Sequence, residues 1–333
     1  MSYYKALKTQ IFKLGEFSII PIRFEDRFQI MKWRNEQVYH LRQNKILKEE
    51  DQNQYFENVV NSLFLLEHPD QILFSFMKEN KCIGYGGLVH INWIDKNAEI
   101  SFLMDTELEA NKFEFLWIKF LKLIQIVAFE DIGLHKIFTY AFDLRPRLYT
   151  ALKESDFEHD ATLNEHCFFE GEFLNVLIHA KINHLKLRPA NVLDINQTFT
   201  WASNKNIRRY SFNQEEIQFN AHSTWFISKL KNENCKYYIL ENILGTGLGS
   251  IRLDVENDSA TISYLIDEKF FGRGLGTKII KLLVNKIKEE KQNIKTLIGY
   301  VQQENLASVR IFEKLGFENE KVGPTIKFFK KII

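Results

Sequence analysis

Cysteine, proline and glycine are all scarce in this 333-residue chain, at three, five and fifteen residues. So little proline and glycine excludes a collagen-like, linker or low-complexity protein. Cys82, Cys167 and Cys235 lie far apart, and no two have the C-x-x-C spacing of a zinc or redox site. They read as buried thiols in a reducing cytosol. An excess of one charge is also missing, since 44 Lys and Arg against 43 Asp and Glu leave a net +1. That balance makes no electrostatic case for nucleic acid or an anionic membrane. The start, MSYYKALKTQ, lacks the apolar stretch of a signal peptide. The greasiest segment, 115–129, is interrupted by Lys119, Lys122 and Gln125. It falls short of the ~20 apolar residues of a membrane span and predicts an amphipathic helix instead. The expected location is cytoplasmic. Histidines other than His222 are scattered without metal-ligand spacing, so no metal site is expected.

What is present is ordinary core material, with 45% hydrophobic residues and 29 phenylalanines, which we read first as filler. The length suits two domains. Comparing the halves makes this concrete. IGYGGL at 83–88 precedes NAEISFLMD at 97–105, and GTGLGS at 245–250 precedes SATISYLID at 259–267. FTYAF at 138–142 answers IGYVQ at 298–302, and IPIRFED around Arg23 answers LKLRPAN around Arg188. Order and spacing persist at about 160 residues, the mark of a duplicated module. The expected domains are 1–184 and 185–333, with no Pro/Gly linker between them.

Each module reads as strand, helical region, two or three strands, long helix, strand, helix, strand. In the second copy YYILE and GSIRLDV alternate like hairpin strands, and ATISYLI is a β-branched run. Apolar residues at 275, 279, 280, 283, 284 and 287 predict a helix with one buried face. The fold class is therefore α/β (α+β): two tandem modules, each a mixed central sheet flanked by helices.

The chemistry is carried by EKFFGRGLGTKIIKLL, which follows strand YLID. Gly272, Gly274 and Gly276 alternate at the start of the long helix. Glycines there allow positive φ and close approach of a ligand, while free helix N–H groups face an anion. A plain strand–helix turn is the competing reading. A P-loop would need G-K-S/T, whereas Gly276 is followed by Thr277-Lys278. A Rossmann loop would follow the first strand of its unit, and these glycines come late in the module.

Phe271-Gly272-Arg273-Gly274-Leu275-Gly276 resembles the Q/R-x-x-G-x-G/A loop of the GNAT superfamily of acyl-CoA-dependent N-acyltransferases. A second element of that family, N-x-x-S-x-x-x-Y-x-x-x-G-F, is matched by Asn305, Ser308, Phe312, Gly316 and Phe317. The resemblance implies acetyl-CoA as cosubstrate. Leu265 and Ile266 would pair with pantetheine, the segment from Gly272 through Arg273, Gly274, Leu275 and Gly276 to Thr277 would hold pyrophosphate, and Asn305 and Ser308 would touch the CoA arm. Phe271 and Phe312 depart from the pattern, the latter replacing a tyrosine general acid. Thr261 stands where many relatives carry a strand glutamate.

IRRYSFNQEEI at 207–217 and HSTWFISKL at 222–230 are similar to amino-sugar N-acetyltransferases of surface-glycan pathways, including those linked to pseudaminic acid. By that resemblance Arg209, Ser211 and Trp225 would bind an amino-sugar acceptor and His222 would accept the amine proton. In the competing reading Trp225, Phe226 and Leu230 fill the core while His222 caps or is solvated. The expected function is transfer of acetyl from acetyl-CoA to a nucleotide-linked amino sugar by direct attack. Protein or peptide N-terminal acetylation and a non-catalytic acyl-CoA-binding or assembly module are the alternatives. The expected partners are a small-molecule amine and, as a homodimer, a second copy of the chain.

The first module has no glycine between Gly87 and Gly133, and DTELEANKFEFL stands where the phosphate loop should be. Arg145 and Leu148 take the places of Asn305 and Ser308, and Asp156 that of Gly316. This copy keeps Glu99 on its strand, a base if its loop still binds acyl-CoA and otherwise a solvated carboxylate. We expect a non-catalytic partner domain.

Overall fold

The computed structural model describes residues 3–43, 45–290 and 292–332. Its contacts divide the chain into two units, Met1–Asn183 and His184–Ile333.

The first unit runs β1 (Phe12–Leu14), β2 (Phe17–Pro21), α1 (Arg27–Glu36) and α2 (Glu49–Tyr55), which continues through a π-helical turn into α3 (Asn61–Leu63). There follow β3 (Ile72–Lys78), β4 (Lys81–Asn92), β5 (Asn97–Met104), α4 (Thr106–Gln125), β6 (Lys136–Phe142), α5 (Pro146–Glu154), β7 (Glu158–Phe169) and β8 (Glu172–Ile182). The second unit runs β9 (Lys186–Pro189), α6 (Ile195–Ser203), α7 (Lys205–Arg208), α8 (Phe219–Lys231), β10 (Cys235–Glu241), β11 (Gly247–Glu256) and β12 (Ser259–Ile266). It ends with α9 (Leu275–Glu289), β13 (Thr296–Gln302), α10 (Leu306–Lys314), β14 (Glu318–Val322) and β15 (Thr325–Lys331).

The sheets have the orders β1-β2-β3-β4-β5-β6-β8-β7 and β14-β15-β13-β12-β11-β10-β9. Each is antiparallel except for one central parallel pair, β5 with β6 and β12 with β13. A parallel pair needs a crossover, and α4 and α9 supply it. On α9, Leu275, Ile279, Ile280, Leu283 and Ile287 are buried against the sheet. Each such side chain stabilises the unit by about 1.5–3 kcal/mol. Helix α4 has the same role with a more apolar face, where Phe120 stacks on Phe102 with centroids 4.0 Å apart. Its lysines leave eight residues buried, so the amphipathic helix of the sequence reading is a core crossover. Gly86 and Gly87 are needed there for space, because a Cβ on either would collide with the main chain of Ser101 or Ile72.

Several small devices recur in both units. Arg23 binds both oxygens of Asp26 as Arg188 binds both of Asp194. Lys181 donates to the carbonyl of Ser155, and Lys330 to that of Leu315, each tying the last strand to the last helix. Gly316 has φ +71°, and Asp156 takes its place with φ +59°, a left-handed conformation that Asp tolerates better than most residues. Of the cysteines only Cys235 is buried; Cys82 and Cys167 are half-buried, which corrects the expectation of three buried thiols. Among the described residues, no helix is long and apolar enough to cross a membrane.

Candidate active site

The site grows out of a mismatch between strand lengths. β12 pairs with β11 along its whole length, from Ser259 to Ile266. It pairs with β13 only over Ser259–Ile262, against Thr296–Gly299. Past Ile262 the two strands part, and the main-chain groups of 263–266 that face β13 have no strand partner. An extended chain of another molecule can supply one.

At the end of β12 the Asp267 carboxylate accepts from Lys269 N–H at 3.0 Å and caps a short 3₁₀ turn over Glu268–Phe270. The chain then reverses through Gly272 at φ +78° and Gly274 at φ +72°. A Cβ at either would meet nothing within 4 Å, so glycine is required here by the backbone and not by space. Gly274 is the N-cap of α9, and no side chain caps that first turn. Its amides and the helix dipole together favour an anion.

These elements enclose a cleft of about 580 Å³, walled by α7 and the residues after it, the end of β12, the glycine loop and the first turn of α10. A smaller cavity of about 270 Å³ adjoins it and shares Tyr210, Ser211, Tyr264, Asn305 and Ser308. Asn305 caps α10 by accepting from Ser308 N–H at 3.2 Å. The Ser308 and Tyr264 hydroxyls lie 3.0 Å apart, and burial pushes the Tyr264 phenol up. Gln302 donates to the Ser211 carbonyl at 2.8 Å and holds that loop over the cleft. Arg209 lies over the Tyr210 ring at 4.7 Å. Arg208 donates to the Asn213 carbonyl at 2.6 Å, yet its Nε is buried without a hydrogen-bond partner.

Of the residues singled out from the sequence, the cleft brings together Leu265, Ile266, Phe271, Gly272, Gly274, Leu275, Gly276, Asn305, Ser308, Arg209 and Ser211. Arg273 and Thr277 lie on the same loop and first turn but are not part of the wall, and Arg273 sits over the Phe270 ring at 5.1 Å. Sequence reasoning missed Tyr264, Tyr210 and Arg208. Tyr264 was legible in principle, as the one polar-tipped residue in the row Ala260, Ile262, Tyr264, Ile266 on one face of β12.

His222 and Trp225 require correction. His222 is 4% exposed, with Nε2 3.1 Å from the Thr198 hydroxyl and its ring stacked on Phe226. Burial lowers its pKa, so it is a neutral core residue between α6 and α8 that lines neither cavity. Trp225 lies over Arg252 at 5.1 Å and also stays out of the cleft wall. The competing reading holds for Phe226, which is fully buried, but not for Trp225, exposed at 37%, nor for His222, which is buried and bonded to Thr198. A 3.6-residue period cannot separate the two sides of a helix when apolar and aromatic residues occupy both.

The first unit repeats the parting strands: β5 pairs with β6 only over Asn97–Glu99. Glu99 and Thr261 hold the same register place, opposite Phe138 and Ile298. Glu99 is neither solvated nor free; it is 6% exposed, bound by Arg42, with His90 at 4.0 Å. Burial raises its pKa against the pull of Arg42 and His90. No glycine loop follows β5. The Asp105 carboxylate accepts from Glu107 N–H at 3.0 Å, and α4 begins at once. Lys112, in the place of Gly274, is a lone non-helical residue inside α4, with φ −134° and ψ 21°. The Glu109 carboxylate, on the first turn of α4, accepts from Tyr39 at 3.0 Å and Arg145 at 3.5 Å, with His40 at 4.0 Å.

Two family models match, both described as acetyltransferase (GNAT) domains, one over residues 19–172 and the other over 184–318. The chain is two GNAT domains in tandem. The uncharacterized protein MJ1062 of Methanocaldococcus jannaschii is 27% identical to it over 139 residues, 39% of this chain and 27% of that protein. The chain thus spans about a quarter of the length of the curated relative it matches. A domain from M. jannaschii is a structural neighbour at 23% identity and TM-score 0.41, covering 45% of this chain and 99% of its own. Spermidine N-acetyltransferase from Vibrio cholerae, solved with CoA and spermine, is another, at 18% identity and TM-score 0.41, covering 44% and 95%. The second GNAT domain has the glycine loop and the cleft; the first has the same strands with the loop replaced by helix.

Proposed function

We propose that the second GNAT domain transfers an acetyl group from acetyl-CoA to the amine of a small acceptor, a nucleotide-linked amino sugar. The observation that carries this reading is the junction of the unpaired edge of β12 with the uncapped, glycine-turned start of α9. Pyrophosphate fits the amides from Gly272 to Thr277, and pantetheine fits the edge at Leu265 and Ile266 as one more strand. Asn305, Ser308 and Tyr264 flank the CoA arm. Catalysis rests on positioning and on a strand amide polarising the thioester carbonyl, followed by direct attack of the amine. Arg208 and Arg209 suit the phosphate of a nucleotide handle, and the Tyr210 ring suits a sugar or base.

The first domain takes no acyl-CoA. The first turn of α4 carries Glu109, whose charge repels pyrophosphate, and Arg145 and His40 are already turned toward that carboxylate. It serves as a non-catalytic partner.

Calorimetry with acetyl-CoA and a CoA-release assay with a uridine-diphosphate amino sugar test this reading. One molecule of acetyl-CoA bound per chain, with turnover lost in Gly274→Val, is expected. No acetyl-CoA binding, or two sites per chain, sinks it.

A further inference from the structure

We infer that this domain takes its acceptor as the free base, and so selects weakly basic amines such as 2-amino sugars and α-amines over polyamines and other alkyl ammonium ions. The inference rests on the acetyl transfer proposed above and adds the chemical class of its acceptor.

The register place of Glu99 belongs here to Thr261, which cannot take a proton from an ammonium. Among the described residues, Arg208 and Arg209 are the only side chains charged at neutral pH in the walls of the two cavities, and the rest are hydroxyl, amide or apolar. From β12 come Thr261, Ser263 and Tyr264; from β13 come Tyr300 and Gln302; from α10 come Asn305 and Ser308. The carboxylates nearby are occupied. Asp254, beside Thr261 on β11, accepts from Lys229 at 2.7 Å and Arg252 at 2.8 Å. Glu268 accepts from Asn204 at 2.7 Å and from Asn206, and Asp267 from the Trp201 indole at 2.9 Å. His222 is buried against Phe226 with its Nε2 on Thr198, and it lines neither cavity. Glu268 acts electrostatically on Arg209 from outside the wall, but no carboxylate lines either cavity to take a proton from a further cation.

In the transfer step the lone pair of the neutral nitrogen forms the bond to the thioester carbonyl carbon. The C–S bond breaks with its electron pair going to sulfur. Nitrogen then releases one proton to solvent, and the thiolate takes one from solvent to end as the thiol. Nothing is oxidised or reduced. The proton that a base would remove before attack is lost in solution, so reactivity follows the free-base fraction of the acceptor. For an alkyl amine of pKa ~10.4 that fraction is about one in a thousand at pH ~7.4; for an α-amine of pKa ~7.7–8.0 it is about one in four, a difference of about two hundredfold.

The test measures CoA release by the full chain with glucosamine, glycinamide and spermidine from roughly pH 6 to pH 9.5. The expected log(kcat/KM) climbs with unit slope to a break that follows each amine's own pKa. Near pH 7.4, glycinamide should outrun spermidine about two hundredfold. A break at one common pH for all three amines would reveal an enzyme base and overturn the inference. Preference for spermidine at neutral pH overturns it as well. Acetyl-CoA bound in calorimetry without turnover of any of the three overturns this inference alone, whereas no acetyl-CoA binding overturns the acetyl-transfer reading beneath it.

Discussion

Phe312 offers a sharp test, because family pattern and structure point in opposite directions. Restoring the tyrosine that many GNAT relatives carry there would be expected to restore a general acid and raise turnover. In this fold the Phe312 ring is 2% exposed, stacked on Phe328 with centroids 5.0 Å apart and edge-on to Phe317 at 4.9 Å. The ring tip lies against β13, since a Cβ placed on Gly299 would meet the Phe312 Cζ at 2.5 Å. A hydroxyl on that carbon is driven toward the strand. Overpacking of this kind costs about 1–3 kcal/mol. Phe312 also lines the smaller cavity, so the penalty is that of the contact with β13 alone. Phe312→Tyr should therefore destabilise the second domain by about 1–3 kcal/mol, lowering its Tm by roughly 3–10 °C. Thermal melts of the full chain, followed beside CoA release, read both quantities. A Phe312→Tyr chain that melts with the parent and turns over faster would show that the ring tip reaches the cleft and would refute the packing argument.

Three further outcomes are expected. Gly274→Ala should cost about 1–2 kcal/mol through its left-handed backbone alone, with no steric clash, and should weaken the thermal shift given by acetyl-CoA. An unchanged melt would show that the turn can relax. Tyr264→Phe removes the partner of Ser308 and should weaken acetyl-CoA binding about three- to tenfold in calorimetry, corresponding to ~0.5–1.5 kcal/mol, with an unchanged Kd counting against a role for that hydroxyl. Burial, and then Arg145, hold His40 down to about 3, so it stays neutral in the fold while the unfolded chain takes up a proton. Its contribution is intact above pH ~6.5 and is lost as pH falls, by about 1.4 kcal/mol at pH 5.5. Urea unfolding should therefore show a smaller drop between pH 7.5 and 5.5 in His40→Gln, and an equal drop would refute the buried-neutral assignment.

The periodic elements were legible because a single face decides them. Of the apolar positions predicted for α9, all but the partly buried Val284 are buried, and β12 runs where the β-branched run lies. The glycine loop was legible because positive φ demands glycine, so Gly272 and Gly274 are marked by residue type alone. What stayed hidden depends on partners distant in the chain. Thr198 claims His222 across 24 residues, and Glu109 gathers Tyr39 and Arg145 from 70 and 36 residues away. Tyr264 and Ser308 meet across 44 residues. No local pattern encodes such meetings.

By itself, the order of residues determined the duplication, the fold of each copy and the unequal distribution of glycine. Those properties follow from backbone preference and from burial of one face, which neighbours along the chain settle. Only the tertiary structure decided that Glu109 of the first copy is held by Tyr39 and Arg145, that His222 belongs to a core, and that the parted ends of β12 and β13 open into a cleft whose charged wall is basic. Each of these depends on which side chains the sheet register brings within hydrogen-bond reach, and that is a property of the assembled fold.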